Sequence, residues 1–390
     1  MALASTRPIT PLDGIRIVDL TSYIAGSYAA MMLADLGATI VKVESLAGDS
    51  FRELPGFHGW NRGKRSIALD LKTAEGRAVV ERLAAQGDVV MENMRPGVAD
   101  RLGVGYERLR AANPRLIYCS VTAFGSTGPY IERPGFDPLL QAMAGVMTLQ
   151  GFGGPPQYLR VAVTDYFTAA LAAQAVLAAL FARERTGLGQ RVETSLLQGV
   201  MALQSGSIVD YPGKTSVFRD NPTYRLYECQ DGLWFFLACG NQSFWVKLCR
   251  ALGLEHLADD PRFASWLKRL DNREALLPIF EQAFRSRPRQ AWLEVLAAHD
   301  IPAGPVQPLA EFMEDPAVRH LDMLHDYEHP ELGHLRLMGQ PWRFSATPVT
   351  DPGRPPLLGE HGEQILRELG YDRAAIAGLR ERGVLGGPAA

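Results

Sequence analysis

The chain has 390 residues, of which 47% are hydrophobic and 21% charged, and its formal net charge is -3. This length predicts two or three compact units, and the near-neutral balance excludes a global positive field for nucleic acid. Four cysteines without a CxxC pair and eight histidines without an HExxH motif support neither a disulfide framework nor a metal site. We find no signal-like start and no run of about 18 apolar residues, so we expect a cytoplasmic protein without a membrane partner.

The first 200 residues alternate short β-branched runs with longer Ala/Leu-rich runs, a rhythm typical of a parallel sheet covered by helices. We predict helices that end at Gly37 and at Gly187, since glycine is the usual residue after a helix. The predicted strands are 15–20, 39–43, 67–71, 88–92 and 117–121, and the predicted helices are 25–36, 74–86, 106–112 and 165–183. The chain therefore opens with an α/β domain, which we place at 1–209.

A composition shift near Asp210 marks a second, smaller unit, which we place at 210–325 with linkers at 211–214 and 219–222. Strands are predicted at 224–227 and 234–238, followed by about three helices. The remaining segment, 326–390, is proline-rich beyond Arg343 and then helical. We expect this tail to return to the first domain.

The turn after the first predicted strand, residues 21–26, lies where a dinucleotide-binding protein carries GxGxxG, and it lacks that motif. Hydride chemistry with NAD is therefore disfavoured. Backbone N–H groups at a helix start can still bind a phosphate, although a plain strand-to-helix turn explains this segment equally well.

Two basic loops follow predicted strands. The first, 61–66, holds three cations around a glycine, and the second, 93–102, adds further arginines. Arg and Lys in such loops can close on a phosphate, while most short basic clusters are solvated surface. If both loops lie at the carboxyl edge of the sheet, they form one anion-binding crevice.

Asp165 follows the run Val161–Thr164 and opens the long predicted helix. Spacing favours an N-cap, since a carboxylate there accepts free N–H groups of the first turn. A nucleophile is compatible with that position, and the helix terminus would hold its pKa below the usual value of about 3.9. Arg133 and Asp137 precede another helix and are explained equally well as capping and surface groups.

Taken together, seven segments resemble the family III CoA-transferases, also called the CaiB/BaiF family. The resemblance spans nearly the whole chain, and the ordered set is specific although each motif is weak alone. The segments are 11–45, 61–72 (NRGKRSIALDLK), 91–103 (MENMRPGVADRLG), 113–130, 161–197 (beginning VAVTDYF), 301–324 and 357–371. The resemblance implies a large Rossmann-like domain with a parallel sheet, a smaller α+β domain, and a homodimer whose chains interlock like rings.

The resemblance also implies the site. The family's catalytic aspartate matches Asp165. The positions that match CoA contacts are Ile24, Ala25, Lys64, Arg65, Asn93, Met94, Arg101 and Leu102, with Arg133 close to a further basic contact. It implies an enzyme that exchanges CoA between an acyl-CoA donor and a free carboxylic acid, with CoA as substrate and no tightly bound cofactor.

Two departures from the family pattern bear on function. A glycine-run loop closes over the family's active site, and the matching stretch 218–222 has no glycine. The related α-methylacyl-CoA racemases carry a histidine that transfers a proton, and Phe136 stands at its place. This substitution favours a transferase over the first alternative, an acyl-CoA racemase or epimerase. A second alternative is a non-catalytic CoA-binding subunit.

Overall fold

The computed structural model describes residues 9–151, 154–213 and 220–388. The chain divides into two compact units. The first comprises Met1–Thr148, Pro156–Val209 and Asp322–Ala390, and the second comprises Leu149–Pro155 and Asp210–Leu321. The C-terminal segment therefore belongs to the same unit as the N-terminal half.

The first unit contains a six-stranded parallel sheet in the order β3-β2-β1-β4-β5-β6. Its strands are β1 (Arg16–Asp19), β2 (Thr39–Glu44), β3 (Arg65–Ala68), β4 (Val89–Glu92), β5 (Ile117–Thr122) and β6 (Arg191–Ser195). The chain crosses from one half of the sheet to the other between β1 and β4, which creates a crevice at their carboxyl ends. The mixed α/β class predicted from sequence is confirmed.

Helices cover both faces of this sheet. Up to Val209 they are α1 (Ala25–Asp35), α2 (Pro55–Trp60), α3 (Ala74–Gln86), α4 (Val98–Arg101), α5 (Tyr106–Ala112), α6 (Asp137–Met143), α7 (Val146–Gln150), α8 (Val163–Thr186), α9 (Leu196–Leu203) and α10 (Ser205–Ile208). Thr73 caps α3 by accepting from the Gly76 N–H at 3.0 Å. The two predicted helix-ending glycines, Gly37 and Gly187, adopt φ of 101° and 71°. Such left-handed backbone favours glycine.

Two apolar cores lie on opposite faces of the sheet. On one face, Ala29 and Leu33 of α1 pack with Ala172 and Val176 of α8. The other core brings Val79 and Val80 of α3 together with the C-terminal helices described below. The tail therefore completes the first unit's core, because its apolar side chains cover one face of the sheet.

The second unit and the tail contain the remaining elements. The second unit has an antiparallel sheet, β7-β8-β9, over a core that includes Phe280 and Phe284. The bounds are β7 (Tyr224–Glu228), β8 (Trp234–Ala238), α11 (Gln242–Ala251), a 3-10 turn (Glu255–Leu257), α12 (Trp266–Asp271), α13 (Arg273–Phe284), α14 (Arg289–Ala298), β9 (Ala303–Pro305), α15 (Leu309–Met313), α16 (Pro316–Leu321), β10 (Leu324–His329), β11 (Gly333–Met338), α17 (Gly362–Glu368) and α18 (Arg373–Glu381). Of the glycine-free stretch 218–222, residues 218 and 219 lie outside the described residues.

Helix α8 is the one helix of the described residues that is long and apolar enough, by length and composition, to cross a membrane. The expectation that no segment reaches this length is therefore wrong. Its inward residues recur every three or four positions, as Thr168, Ala172, Val176 and Ala179 do, and they lie in or beside the core. A core helix meets the same composition test, so α8 supplies only weak evidence for a membrane.

Candidate active site

A cavity of about 690 Å³ opens at the carboxyl ends of β1, β4 and β5. This is the crevice where open α/β sheets bind ligands, and its volume suits a small molecule. Its lining comes from segments 22–25, 93–98, 121–125, 131–138 and 158–165, with Phe51 and Leu196. All of these residues belong to the first unit.

Asp137 caps the helix that carries Asp165. Its Oδ2 accepts from the backbone N–H of Thr164 at 2.7 Å and of Asp165 at 3.3 Å. The Asp137 side chain is buried, and Gln141 donates to its Oδ1 at 2.5 Å. Asp137 therefore satisfies free donors of α8 from a different part of the chain.

The position of Asp165 differs from the prediction. Helix α8 begins at Val163 rather than at Asp165, because Ala162 forms a tight turn with φ -70° and ψ 63° in which the Val163 N–H reaches the Val161 carbonyl at 2.7 Å. This conformation is an inverse γ-turn. Asp165 is consequently the third helical residue, and the predicted N-cap is wrong.

The Asp165 carboxylate faces the cavity and accepts no hydrogen bond from the residues that the structure describes. Burial, and next the charge of Asp137, raise its pKa to about 7. The expectation of a lowered pKa is therefore wrong, because Asp137 takes the helix N–H groups that would have stabilised the ionised form. A carboxylate without donors keeps its lone pairs free, so near neutral pH Asp165 has the character of a nucleophile.

The turn after β1 forms one wall of the cavity. Asn93 fixes it through both of its amide atoms, accepting from the Ser22 N–H at 2.9 Å and donating to the Ser22 carbonyl at 2.7 Å. Tyr23 has a φ of 61° and contacts the rings of Phe51 and Phe136 edge to face at 4.9 and 5.5 Å. Left-handed backbone at a bulky residue costs roughly 1–3 kcal/mol and is typical of binding sites.

Five of the sequence-predicted CoA contacts line the cavity together with Asp165. They are Ile24, Ala25, Asn93, Met94 and Arg133. The Arg133 guanidinium stacks on Tyr130 at 4.1 Å. The structure thus brings the first turn, the second basic loop and the aspartate into one site.

Lys64 and Arg65 lie elsewhere. Lys64 is buried, and its ammonium donates to the Asp19 carboxylate at 2.7 Å, the Ser27 carbonyl at 2.8 Å and the Asn61 side chain at 2.9 Å. All three donors of Lys64 are used within the protein, so in this structure none is free for a phosphate. Burial lowers its pKa to about 8.

Arg65 is the first residue of β3, not part of the loop before it, because strand pairing with β2 begins there. Its guanidinium forms a bidentate pair with Glu368 at 2.8 Å. Arg65 lines a different cavity, of about 420 Å³, with Arg16. Arg101 and Leu102 also lie outside the lining of the Asp165 cavity, and Leu102 packs against the core beneath α3.

The sequence does not mark several lining residues as site residues. Its pattern explains Asp137 as a capping or surface group, because no spacing rule links it to a helix that begins 26 residues later. Arg95 lies inside a predicted basic loop, so its charge was a usable signal. Arg160 gave none, since a single arginine before a helix has no distinctive pattern. Among the described residues, no group of three or more His, Cys, Asp or Glu could hold a metal ion.

Comparisons with known proteins agree with this architecture. Residues 12–362 match the family model described as CoA-transferase family III. Succinyl-CoA:glutarate CoA-transferase from Homo sapiens is 34% identical, covering 97% of this chain and 90% of that protein. Succinyl-CoA--D-citramalate CoA-transferase from Chloroflexus aurantiacus is 32% identical, covering 98% of this chain and all of that protein.

A solved structure with the same fold is the CAIB/BAIF family protein from Brucella suis. It superposes with a TM-score of 0.82 at 39% identity, covering 93% of this chain and 100% of that one. The Rv3272 protein from Mycobacterium tuberculosis gives a TM-score of 0.83 at 31% identity, covering 92% and 99%. The chain therefore belongs to CoA-transferase family III and is an enzyme of that class.

Proposed function

We propose that this protein transfers CoA from an acyl-CoA donor to a free carboxylic acid through covalent intermediates on Asp165. The observation that carries the proposal is the Asp165 carboxylate, which opens into a ligand-sized cavity without a hydrogen-bond donor from the described residues. Asp137 holds the backbone there, since its carboxylate accepts from the N–H of Asp165 at 3.3 Å and of the preceding Thr164 at 2.7 Å. A carboxylate on a fixed backbone, half-buried and without a protein donor, fits the needs of covalent catalysis.

The reaction consists of four acyl transfers. The Asp165 carboxylate attacks the donor's thioester carbon, forming a mixed anhydride and expelling CoA thiolate. The thiolate attacks the aspartyl carbonyl, releasing the donor acid and leaving an aspartyl-CoA thioester. The acceptor carboxylate opens this thioester to a second anhydride, and the returning thiolate then yields the new acyl-CoA and regenerates Asp165. Each step exchanges bonds of similar energy, so the sequence is balanced without ATP.

The cavity wall supports chemistry that must avoid water. Apolar side chains of Phe51, Phe124, Phe136 and Leu196 line it. They exclude water from the reacting carbonyl, and an anhydride that met water would be lost to hydrolysis. Bound CoA is itself the substrate here, and we propose no tightly held cofactor.

We propose dicarboxylic acids as the substrate class. The similar enzymes named above act on succinyl-CoA with glutarate or D-citramalate, and an acetyl-CoA:oxalate CoA-transferase from Acetobacter aceti is 34% identical. Each of those acceptors has two carboxylates. The cavity lining includes arginines at positions 95, 133 and 160, and a guanidinium there can bind the second carboxylate of such an acid.

The racemase alternative is not favoured. Phe136, which lines the cavity and is 54% exposed, stands where the related racemases carry a histidine. A phenyl ring accepts no proton, so the wall offers no second base at that place.

We also propose a homodimer, interlocked as the family resemblance implies. Helices α6, α8 and α9 contact one another, and they leave large apolar side chains exposed, such as Met143, Phe181 and Met201. A monomer would leave this apolar surface in water, and a second copy of the chain would cover it. Light scattering of the purified protein tests this, and a monomeric mass would contradict it.

The cytoplasmic location stays a proposal as well. Four free, buried cysteines suit a reducing compartment. Fractionation of the source cells tests it, and recovery outside the cytoplasm would contradict it.

An exchange assay tests the transferase proposal. Purified protein is given succinyl-CoA with a panel of free acids, and new acyl-CoA is measured by mass spectrometry. Asp165→Ala should abolish exchange, whereas Asp259→Ala, an exposed aspartate of the second unit, should leave it intact. Full exchange activity in Asp165→Ala would refute the scheme. Solvent deuterium entering the acyl-CoA without any acceptor acid would instead support the racemase alternative.

A further inference from the structure

We infer that Arg160 binds the second carboxylate of a dicarboxylic acyl group and thereby selects diacids over monoacids. The inference rests on the proposed function, because it assigns a residue to the acyl end of the CoA-transferase substrate. It assigns to Arg160 a specificity role in the same cavity as Asp165.

Arg160 is a free cation in the cavity wall. It is one of the residues that line the cavity, it is exposed to solvent, and within segments 9–151, 154–213 and 220–388 it has neither an ion-pair nor a hydrogen-bond partner. The buried arginines Arg62 and Arg183 of the first unit, by contrast, are paired with Asp35 and Asp88. An arginine without a carboxylate in a ligand cavity is available to an anionic ligand.

The backbone at Arg160 is fixed relative to Asp165. The neighbouring Leu159 carbonyl accepts a hydrogen bond from Gln141 at 3.1 Å, and the same Gln141 nitrogen donates to Asp137 at 2.5 Å. Asp137 in turn holds the Asp165 N–H. One amide group therefore ties the segment of Arg160 to the cap of the nucleophile's helix, so the two side chains are presented from a common support.

Arg160 does not neutralise the nucleophile. A cation in contact with Asp165 would lower its pKa, but burial and then Asp137 raise that pKa to about 7. The guanidinium is thus left for a negative charge further along the substrate. In a diacid bound with one carboxyl group at Asp165, that charge is the distal carboxylate.

The other two arginines of the cavity lie on different loops. Arg95 follows Asn93 and Met94 after β4, and Arg133 lies on Tyr130 between β5 and α6. These loops carry the CoA contacts implied by the family resemblance. Arg160 is the lining arginine on the segment that leads directly into α8, so we assign it to the acyl chain and the other two to CoA.

Paired acids that differ in one carboxylate test the inference. Glutarate and pentanoate have the same chain length, so the ratio of their kcat/KM values isolates recognition of the second carboxylate. Loss of a charge-assisted, bidentate contact should lower this ratio roughly 10- to 100-fold in Arg160→Met. Arg160→Lys should retain part of the preference, since it keeps the charge and loses the fork geometry.

A binding measurement separates this inference from the proposed function. In the Asp165→Ala background no turnover is needed, and calorimetry compares glutaryl-CoA with pentanoyl-CoA. Adding Arg160→Met should weaken the binding of glutaryl-CoA roughly 10- to 100-fold and leave the binding of pentanoyl-CoA unchanged. Arg373→Met, which removes an exposed arginine of α18 outside the cavity, controls for the loss of one charge.

If Arg160→Met weakened the binding of both acyl-CoAs equally, or left the glutarate-to-pentanoate ratio of kcat/KM unchanged, the assignment of Arg160 would be overturned. A selective loss in Arg133→Met alone would also overturn it. Selective weakening of glutaryl-CoA binding would support the inference even if the wild-type enzyme exchanged no acid. A lack of exchange would contradict the proposed function only.

Discussion

Replacing Asp165 with asparagine should stabilise the folded protein at alkaline pH. Burial and Asp137 raise the carboxyl pKa from 3.8 to about 7, so the folded state binds this proton more tightly than the unfolded chain does. Proton binding by Asp165 therefore contributes fully to the stability of the folded protein below about pH 4, and this contribution is lost as pH rises through about 7. A shift of this size corresponds to about 4 kcal/mol. Water in the open cavity screens the charge, so we expect Asp165→Asn to raise the free energy of unfolding by about 2 kcal/mol at alkaline pH.

Urea denaturation at fixed protein concentration measures this effect, since an oligomer's stability depends on concentration. Asp165→Asn should exceed the wild type by about 2 kcal/mol near pH 8, and the two should converge near pH 4, where both side chains are neutral. The exposed Asp259→Asn should change stability at neither pH. An Asp165→Asn protein that is equally stable or less stable near pH 8 would refute the account of a strained, buried carboxylate.

Three further predictions follow from the site. Asp137→Asn removes a charge that raises the pKa of Asp165. The acidic limb of the plot of kcat/KM against pH should therefore move to lower pH by about one unit, and an unmoved limb would contradict this. Asn93→Ala removes both bonds to the Ser22 backbone and should raise KM for acyl-CoA about 30-fold, at roughly 1 kcal/mol per lost bond. An unchanged KM would contradict this. Lys64→Met leaves a buried aspartate without its partner and should lower the unfolding free energy by about 3–5 kcal/mol. If Lys64→Met left stability unchanged and raised KM for CoA, the result would contradict this and would support a contact between Lys64 and a phosphate of CoA.

Local sequence patterns predicted much of the first unit. Helices α3 and α5 begin and end where the Ala/Leu-rich runs predict them, at 74–86 and 106–112. Glycines with positive φ end α1 and α8 as expected. These features depend on neighbouring residues alone, and local sequence patterns can therefore predict them.

The details of the site depend on contacts between distant segments, and local patterns miss these. Asp137 caps a helix other than its own, and burial together with the charge of Asp137 reverses the expected pKa shift of Asp165. Lys64 matches a CoA contact by the family resemblance, but it is buried and its ion pair with Asp19 joins the loop before β3 to the end of β1. Burial and pairing across the sheet are properties of the tertiary structure.

The central claim is that the Asp165 side chain carries first an acyl group and then CoA. Intact-protein mass spectrometry of enzyme quenched during turnover with succinyl-CoA, followed by peptide mapping, tests it most directly. We predict a mass increase equal to CoA less one water on the peptide that contains Asp165, absent in Asp165→Asn. Sustained exchange with an unmodified Asp165 peptide at every time point would contradict the account.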